Sequence, residues 1–117
     1  MLFRSQNRDV LDAMTLEAGA PLRALRVDGG AAANNFLCQF QADVLNVEVL
    51  RPAVTETTAL GAAFLAGVGA GLWKTGDLAG RWRLERRFAP SADPAARAAG
   101  YAGWRRAVER ARGWAEP

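Results

Sequence analysis

A chain of 117 residues, half of them apolar and 23% charged, has the composition expected of one soluble globular domain and not of a disordered segment. It has no histidine and one cysteine, Cys38, which excludes a Cys/His catalytic pair, an intramolecular disulfide and the usual His- or Cys-based metal spacings, and which fits a reducing, cytoplasmic setting. The net charge of +3 is unevenly spread: residues 1–80 carry 6 basic and 8 acidic groups, residues 81–117 carry 9 and 4, and every cation of that tail is arginine.

Met1-Leu2-Phe3 is followed by Arg4, Gln6, Asn7 and Arg8 and not by an apolar run, so no signal peptide is expected. Residues 5–18 read as a helix capped by Ser5 or Asn7. Val10, Leu11, Met14 and Ala18 form its apolar stripe, with Asp9, Asp12 and Glu17 solvated beside it. Gly19 and Pro21 stop it. A short strand follows within Pro21–Asp28, carrying Leu22, Leu25 and Val27.

Asp28-Gly29-Gly30 then makes a tight strand-to-helix turn, and Ala31–Val44 reads as one continuous helix. Its stripe is Phe36, Phe40 and Val44 with Leu37, and Asn34 falls in its first turn. Two glycines leave no side chain between a ligand and the backbone, and the first amides of a helix are unpaired and positive. Such a turn can hold a nucleotide, or it can serve the chain alone. Asp28 is likewise either a functional carboxylate or a support for the turn.

Val47-Glu48-Val49-Leu50 alternates as a second short strand, closed by Arg51-Pro52. Thr57 or Thr58 caps a third helix, from Ala59 to about Gly71, which is apolar all round and therefore expected to be buried on several sides. Its glycines, 61, 67, 69 and 71, suggest that another backbone packs against it or that its end frays. The uncharged run from Thr57 to Trp73 spans 17 residues, short of the ~20 that cross a bilayer.

Strands alternating with helices imply an α/β sheet with parallel pairing. Two short strands make a poor sheet, so the pattern reads as part of a sheet whose other strands lie elsewhere. Beyond Gly76, Trp82, Leu84 and Phe88 alternate with charged residues as an exposed strand. Ser91 or Asp93 caps a last amphipathic helix with Pro94 near its start. Tyr101, Trp104, Val108 and Ala111 line its apolar face and Trp114 extends it, while Arg97, Arg105, Arg106, Arg110 and Arg112 cover the rest. Arginines beside aromatics are also what a nucleic-acid binder carries, but the helix-core spacing of the aromatics favours packing. Neither a Gly-x-x-x-x-Gly-Lys-Ser/Thr loop nor a Gly-x-Gly-x-x-Gly turn is present.

The stretch Leu25-Arg26-Val27-Asp28-Gly29-Gly30-Ala31-Ala32-Ala33-Asn34-Asn35-Phe36-Leu37-Cys38-Gln39-Phe40-Gln41-Ala42-Asp43 resembles the adenosine motif of the FGGY carbohydrate kinase family. Val49-Leu50-Arg51-Pro52, Glu56-Thr57-Thr58-Ala59-Leu60-Gly61-Ala62-Ala63-Phe64-Leu65-Ala66-Gly67, Arg8–Met14 and Tyr101–Val108 resemble the flanking segments. The resemblance implies a partial ribonuclease-H-like (actin-like ATPase) α/β domain: its C-terminal portion, with short parallel strands and packing helices. Residues 1–80 would be the end of the second kinase domain with the adenosine motif, and residues 81–117 a strand plus an amphipathic helix packing on it.

The intact enzyme would use ATP with Mg²⁺ to convert glycerol to sn-glycerol 3-phosphate and ADP, as a cytoplasmic homo-oligomer with no nucleic-acid or membrane partner. Gly30 and Asn34 match the family's nucleotide contacts, with Gly29 shaping the turn and Asp28 supporting it. No catalytic residue and no metal ligand falls in this stretch. The glycerol pocket, the catalytic base and the phosphate loops would belong to a missing N-terminal part, so the chain alone is expected to be inactive. A stand-alone nucleotide-binding or interaction module and an arginine-rich nucleic-acid binder are the alternatives.

Overall fold

The computed structural model describes residues 2–114. Helix α1 (Leu2–Ala18) leads into strand β1 (Ala24–Arg26), a 3₁₀ turn (Gly30–Ala33) and helix α2 (Asn35–Leu45). Strand β2 (Glu48–Pro52), helix α3 (Thr57–Gly69), a second 3₁₀ turn (Thr75–Arg81), strand β3 (Leu84–Phe88) and helix α4 (Pro94–Ala111) complete the chain. The sheet order is β1-β2-β3. β1 runs parallel to β2, with Leu25 opposite Val49, as expected for strands joined through a helix. β3 is antiparallel to β2, with Val49 opposite Phe88 and an irregularity at Arg51/Pro52, so only one of the two pairings is parallel. Pro52, which cannot donate to a ladder, sits at that irregularity at the end of β2.

The core is small. Cys38 and Ala42 of α2, Val49 of β2 and Phe88 of β3 are buried together, with Leu25 and Val27 against them. The buried side of α2 is thus Cys38, Gln41 and Ala42, one step round from the predicted phenylalanine row, and Phe36 is 63% exposed. α1 also turns a different face inward. Ser5 is buried and Asn7 donates to Gln41 of α2 at 3.2 Å, whereas Val10 and Met14 of the predicted stripe face solvent. Asp9, expected to be solvated, accepts the Tyr101 hydroxyl and the Trp104 indole N–H (2.7 Å) of α4. Arg8 lies 4.0 Å from the Tyr101 ring centroid.

α4 begins as the sequence suggests: Asp93 accepts from the amides of Ala95 and Ala96, and Pro94 is the first helical residue. It ends at Ala111, and Trp114 lies beyond it, 87% exposed, without extending its apolar face. α3 departs most from expectation. Only Gly67 is buried in it, and Leu65 is 69% exposed. The helix starts after Glu56, and Thr57 and Thr58 are its first residues and not its cap. What packs closest is not a backbone. A Cβ on Gly67 would sit 2.3 Å from the Trp73 ring, which meets Phe64 edge-on at 5.5 Å, while nothing lies within 4 Å of a Cβ at Gly61, Gly69 or Gly71.

Two magnitudes place this architecture. The Cα radius of gyration is 17.9 Å, against ~13 Å for a compact domain of this length. The accessible surface is 8551 Å², against roughly 6,200 Å² for a folded monomer of this mass. The difference, about 2,300 Å², exceeds what each partner buries in a standard protein–protein interface, about 800 Å². The exposed apolar residues of α1 and α3 belong to that surplus.

Candidate functional site: the turn between β1 and α2

The expected continuous helix from Ala31 is broken. A 3₁₀ turn covers Gly30–Ala33, Asn34 is extended (φ −80°, ψ 108°), and α2 starts only at Asn35. Asn34 is therefore the N-cap of α2, its side-chain oxygen accepting the Leu37 amide at 3.1 Å. A four-residue 3₁₀ turn brings little macrodipole, so the positive helix end inferred for the glycine turn is not what faces it. Instead the turn presents the amides of Gly30 and Ala31, which find no partner among the described residues, beside the Asn34 side-chain NH₂, which likewise has none.

The two glycines have different reasons to be glycine. Gly29 has φ 78° and ψ 169°, a conformation open to glycine alone, and its N–H donates to Thr55 O at 2.7 Å. Gly30 has no positive φ, and a Cβ there would meet nothing within 4 Å. Neither backbone angle nor internal packing requires glycine at 30. The space its missing side chain leaves is open and borders the free amides. Asp28 accepts a hydrogen bond from the Thr57 hydroxyl, so its carboxylate fastens β1 to the start of α3 rather than to the turn's own amides.

The turn is also held from behind by Arg51, which is 8% exposed and reaches from the central strand. Its Nη1 donates to Ala32 O (3.0 Å), Ala33 O (3.2 Å) and Asn35 Oδ1 (2.9 Å), and its Nε donates to Glu85 of β3 at 2.6 Å. The hydrogen bond from Arg51 holds the Glu85 carboxyl below the usual carboxylate range, and the same bond raises the guanidinium further. The Cys38 S–H donates to Ala32 O at 3.2 Å, and burial pushes its pKa up, so it remains a protonated core thiol. In the sequence, Arg51 looked only like the end of a strand. A single arginine in an alternating run with a following proline carries no signal that it is buried.

The cavities lie elsewhere. The best defined, about 580 Å³, opens between α2 and α4 against Phe40, Val44, Gly100 and Trp104. Among the described residues no group of three or more His, Cys, Asp or Glu could hold a metal ion. None of the described helices is long and apolar enough to cross a membrane. Five of the nine arginines from residue 81 onward are engaged within the chain: Arg81 on Trp73, Arg86 on Phe88, Arg87 with Glu48, Arg97 with Asn46 and Arg112 with Glu109.

Residues 5–70, more than half of the chain, match the model of the FGGY family of carbohydrate kinases, C-terminal domain. The chain is 56% identical over 111 residues to a glycerol kinase of Brachyspira hyodysenteriae and 60% identical over 110 residues to glycerol kinase 2 of Pseudomonas aeruginosa. These alignments cover 94% and 93% of the chain and 22% of each relative. The crystal structure of Plasmodium falciparum glycerol kinase with ADP superposes at a TM-score of 0.74 with 32% identity, over 92% of this chain and 22% of that one. A ligand-bound xylulose kinase from Lactobacillus acidophilus, 18% identical, shares the fold at a TM-score of 0.66 over 91% of this chain and 22% of that one. The chain thus spans about 22% of the length of the relatives it matches, and its mixed α/β layers are a portion of the actin-like ATPase fold. On the match across residues 5–70, the chain belongs to the FGGY family of carbohydrate kinases, of whose C-terminal domain it carries a part.

Proposed function

We propose that the chain is the adenosine-side wall of a glycerol kinase ATP cleft, with Gly30 and Asn34 as the nucleotide contacts. The observation that carries this reading is the glycine at 30. It is required by neither φ nor packing, it borders unpaired amides, and it lies in a chain at 56% and 60% identity to proteins named glycerol kinase. A bound adenine nucleotide would approach the Gly30 backbone where any larger side chain stands in its way, and Asn34 would donate its unpartnered NH₂. Gly29 sets the turn's angle, and Asp28, through Thr57, keeps α3 against it.

In the assembled enzyme ATP is the donor and glycerol the acceptor, giving sn-glycerol 3-phosphate and ADP in the cytoplasm, within a homo-oligomer. Phosphoryl transfer needs a base, phosphate clamps and a metal placed together, and one wall of a cleft provides none of these. Further polypeptide corresponding to the rest of the kinase is the partner this reading requires, and the exposed apolar residues Val10, Met14 and Leu16 of α1 and Leu65 of α3 are where it would seat. Mg²⁺ belongs to that assembled site.

The test is a titration of the purified chain with ADP, followed by the amide resonances of residues 29–34. Saturable shifts with a dissociation constant above ~10 μM are expected, since a single wall forgoes most of the contact area. Gly30→Val should abolish them while leaving the circular dichroism and melting temperature unchanged. A coupled assay of the chain alone with ATP and glycerol should form no ADP. Unchanged ADP affinity in Gly30→Val sinks the site assignment, and glycerol-dependent turnover sinks the division of labour.

A further inference from the structure

We infer that Arg51, locked by Glu85, is the positioning residue that sets the nucleotide turn, which makes strand β3 part of the nucleotide-binding apparatus. The inference rests on the nucleotide reading of Gly30 and Asn34.

Its basis is the direction and number of the hydrogen bonds. One Arg51 nitrogen, Nη1, serves three acceptors: the carbonyls of Ala32 and Ala33 and the side-chain oxygen of Asn35. These are consecutive stations along the turn, two before Asn34 and one after it. Both carbonyls are held by the central strand. In a 3₁₀ turn the carbonyls point toward its C-terminal end and the N–H groups toward its N-terminal end, so anchoring the last two carbonyls also fixes the axis along which the free amides of Gly30 and Ala31 point. Asn34 lies between the anchored Ala33 and the anchored Asn35, so its extended conformation and its capping of α2 are fixed from both sides. A carbonyl at the end of a four-residue 3₁₀ turn has no successor to satisfy it, and burying it without a donor costs about 1–3 kcal/mol. Arg51 supplies that donor where a helix would have supplied its own amides.

Arg51 is itself fixed. Its side chain is 10% exposed, Nε donates to Glu85 at 2.6 Å, and the guanidinium stands 5.3 Å from the Phe88 ring centroid. Glu85 and Phe88 both belong to β3, which is antiparallel to the strand that carries Arg51. A lysine in this place has the charge without the planar fork. It can serve either Glu85 or the turn, and cannot hold both in one geometry. Strand β3, read from the sequence as an exposed strand, thus has an internal task, reaching the turn through the single carboxylate of Glu85.

The experiment uses the whole chain and three proteins: wild type, Arg51→Lys and Glu85→Gln. ADP binding is followed by amide shifts, and amide hydrogen exchange is followed in parallel at residues 30–37 and, as an internal control, across α3. Arg51→Lys should weaken ADP at least fivefold and accelerate exchange in residues 30–37 with no change in α3. A loss of general stability would accelerate both regions. Glu85→Gln, at a side chain 46% exposed, keeps the fold and should weaken ADP about twofold to threefold, which keeps the proposal testable should the lysine variant not fold. ADP affinity and turn exchange at wild-type values in the variants that fold overturn the inference alone. Failure of the wild-type chain to bind ADP at millimolar concentration overturns the nucleotide reading, and the inference with it.

Discussion

The Gly30–Ala33 turn and helix α3 are both built almost entirely of glycine, alanine and other residues without charge, yet they are held in opposite ways. In the turn, two carbonyls are taken by Arg51, one of them also by Cys38, and its approach is fastened by Gly29 to Thr55 and by Asp28 to Thr57. In α3 no apolar side chain is fully buried, Leu65 faces outward, and the close contacts are those of the Trp73 ring with Gly67 and Phe64. Small residues place nothing by themselves. Where position matters, the chain fixes backbone carbonyls with buried donors. Where a surface is to be covered, it leaves apolar area in the open, and area has no direction.

The sharpest way to break this contrast is at the core beneath the turn. Phe88→Ala removes the largest buried ring and should cost about 3–5 kcal/mol, enough to unfold a core this small, as a lost thermal transition in circular dichroism. Asp43 tests the polar fastening at the other end of α2. It accepts the amides of Ser91 (2.6 Å) and Ala92 (3.0 Å), the Ser91 hydroxyl (3.2 Å) and the Gln39 amide (3.1 Å). Burial acts to raise its pKa, and those four donors outweigh it and bring the carboxyl below its ordinary value.

A lowered folded-state pKa stabilises above the unfolded-state value, and that stability is lost as pH falls through the folded one. Melting temperatures of wild type should therefore drop on acidification below about pH 4, the unfolded carboxyl value. Asp43→Asn should be less stable by about 1.5–3 kcal/mol at pH 7 and should lack that part of the acid slope. Smaller still, Gly61→Ala in α3 should stabilise by about 1 kcal/mol, because nothing opposes its Cβ, whereas Gly67→Ala should expel Trp73 and shift its fluorescence to the red. Leu65→Ala should change stability by less than about 0.5 kcal/mol. A large loss at Leu65 would show that α3 is covered within the chain after all.

The sequence was most readable where local chemistry decides. The order of helices and strands, the Asp93-Pro94 start of α4, the core placement of Cys38 and the glycine at a positive-φ position each follow from a residue and its near neighbours. It was least readable where long-range packing decides. The α3 run is apolar on every side, so periodicity could not say which side is covered, and only Gly67 is fully buried. The predicted stripes of α1 and α2 were off by a step because Ser5, Asn7 and Gln41, polar in the sequence, satisfy one another or are buried between the helices. At the candidate turn, Asp28, Gly29, Gly30 and Asn34 stand out in the sequence as residues of a strand-to-helix turn. The break of the helix at Asn34 does not, because an alanine run favours continuation and the force that interrupts it comes from Arg51, 17 residues away.

The clasp of Asp9 on Tyr101 and Trp104 has a consequence in time. It joins residues 92 and 95 positions apart, whereas Arg51 and Glu85 are 34 apart. Closing the longer loop first would cost about 0.9 kcal/mol more, and the clasp buries no apolar residue of α4 in return. The turn and the three strands can therefore assemble before the two ends of the chain meet, and α4 should be the first element to open. Native-state hydrogen exchange should show this as earlier loss of protection in α4 than in β2, with the Gly30–Ala33 turn still in place after the ends have parted.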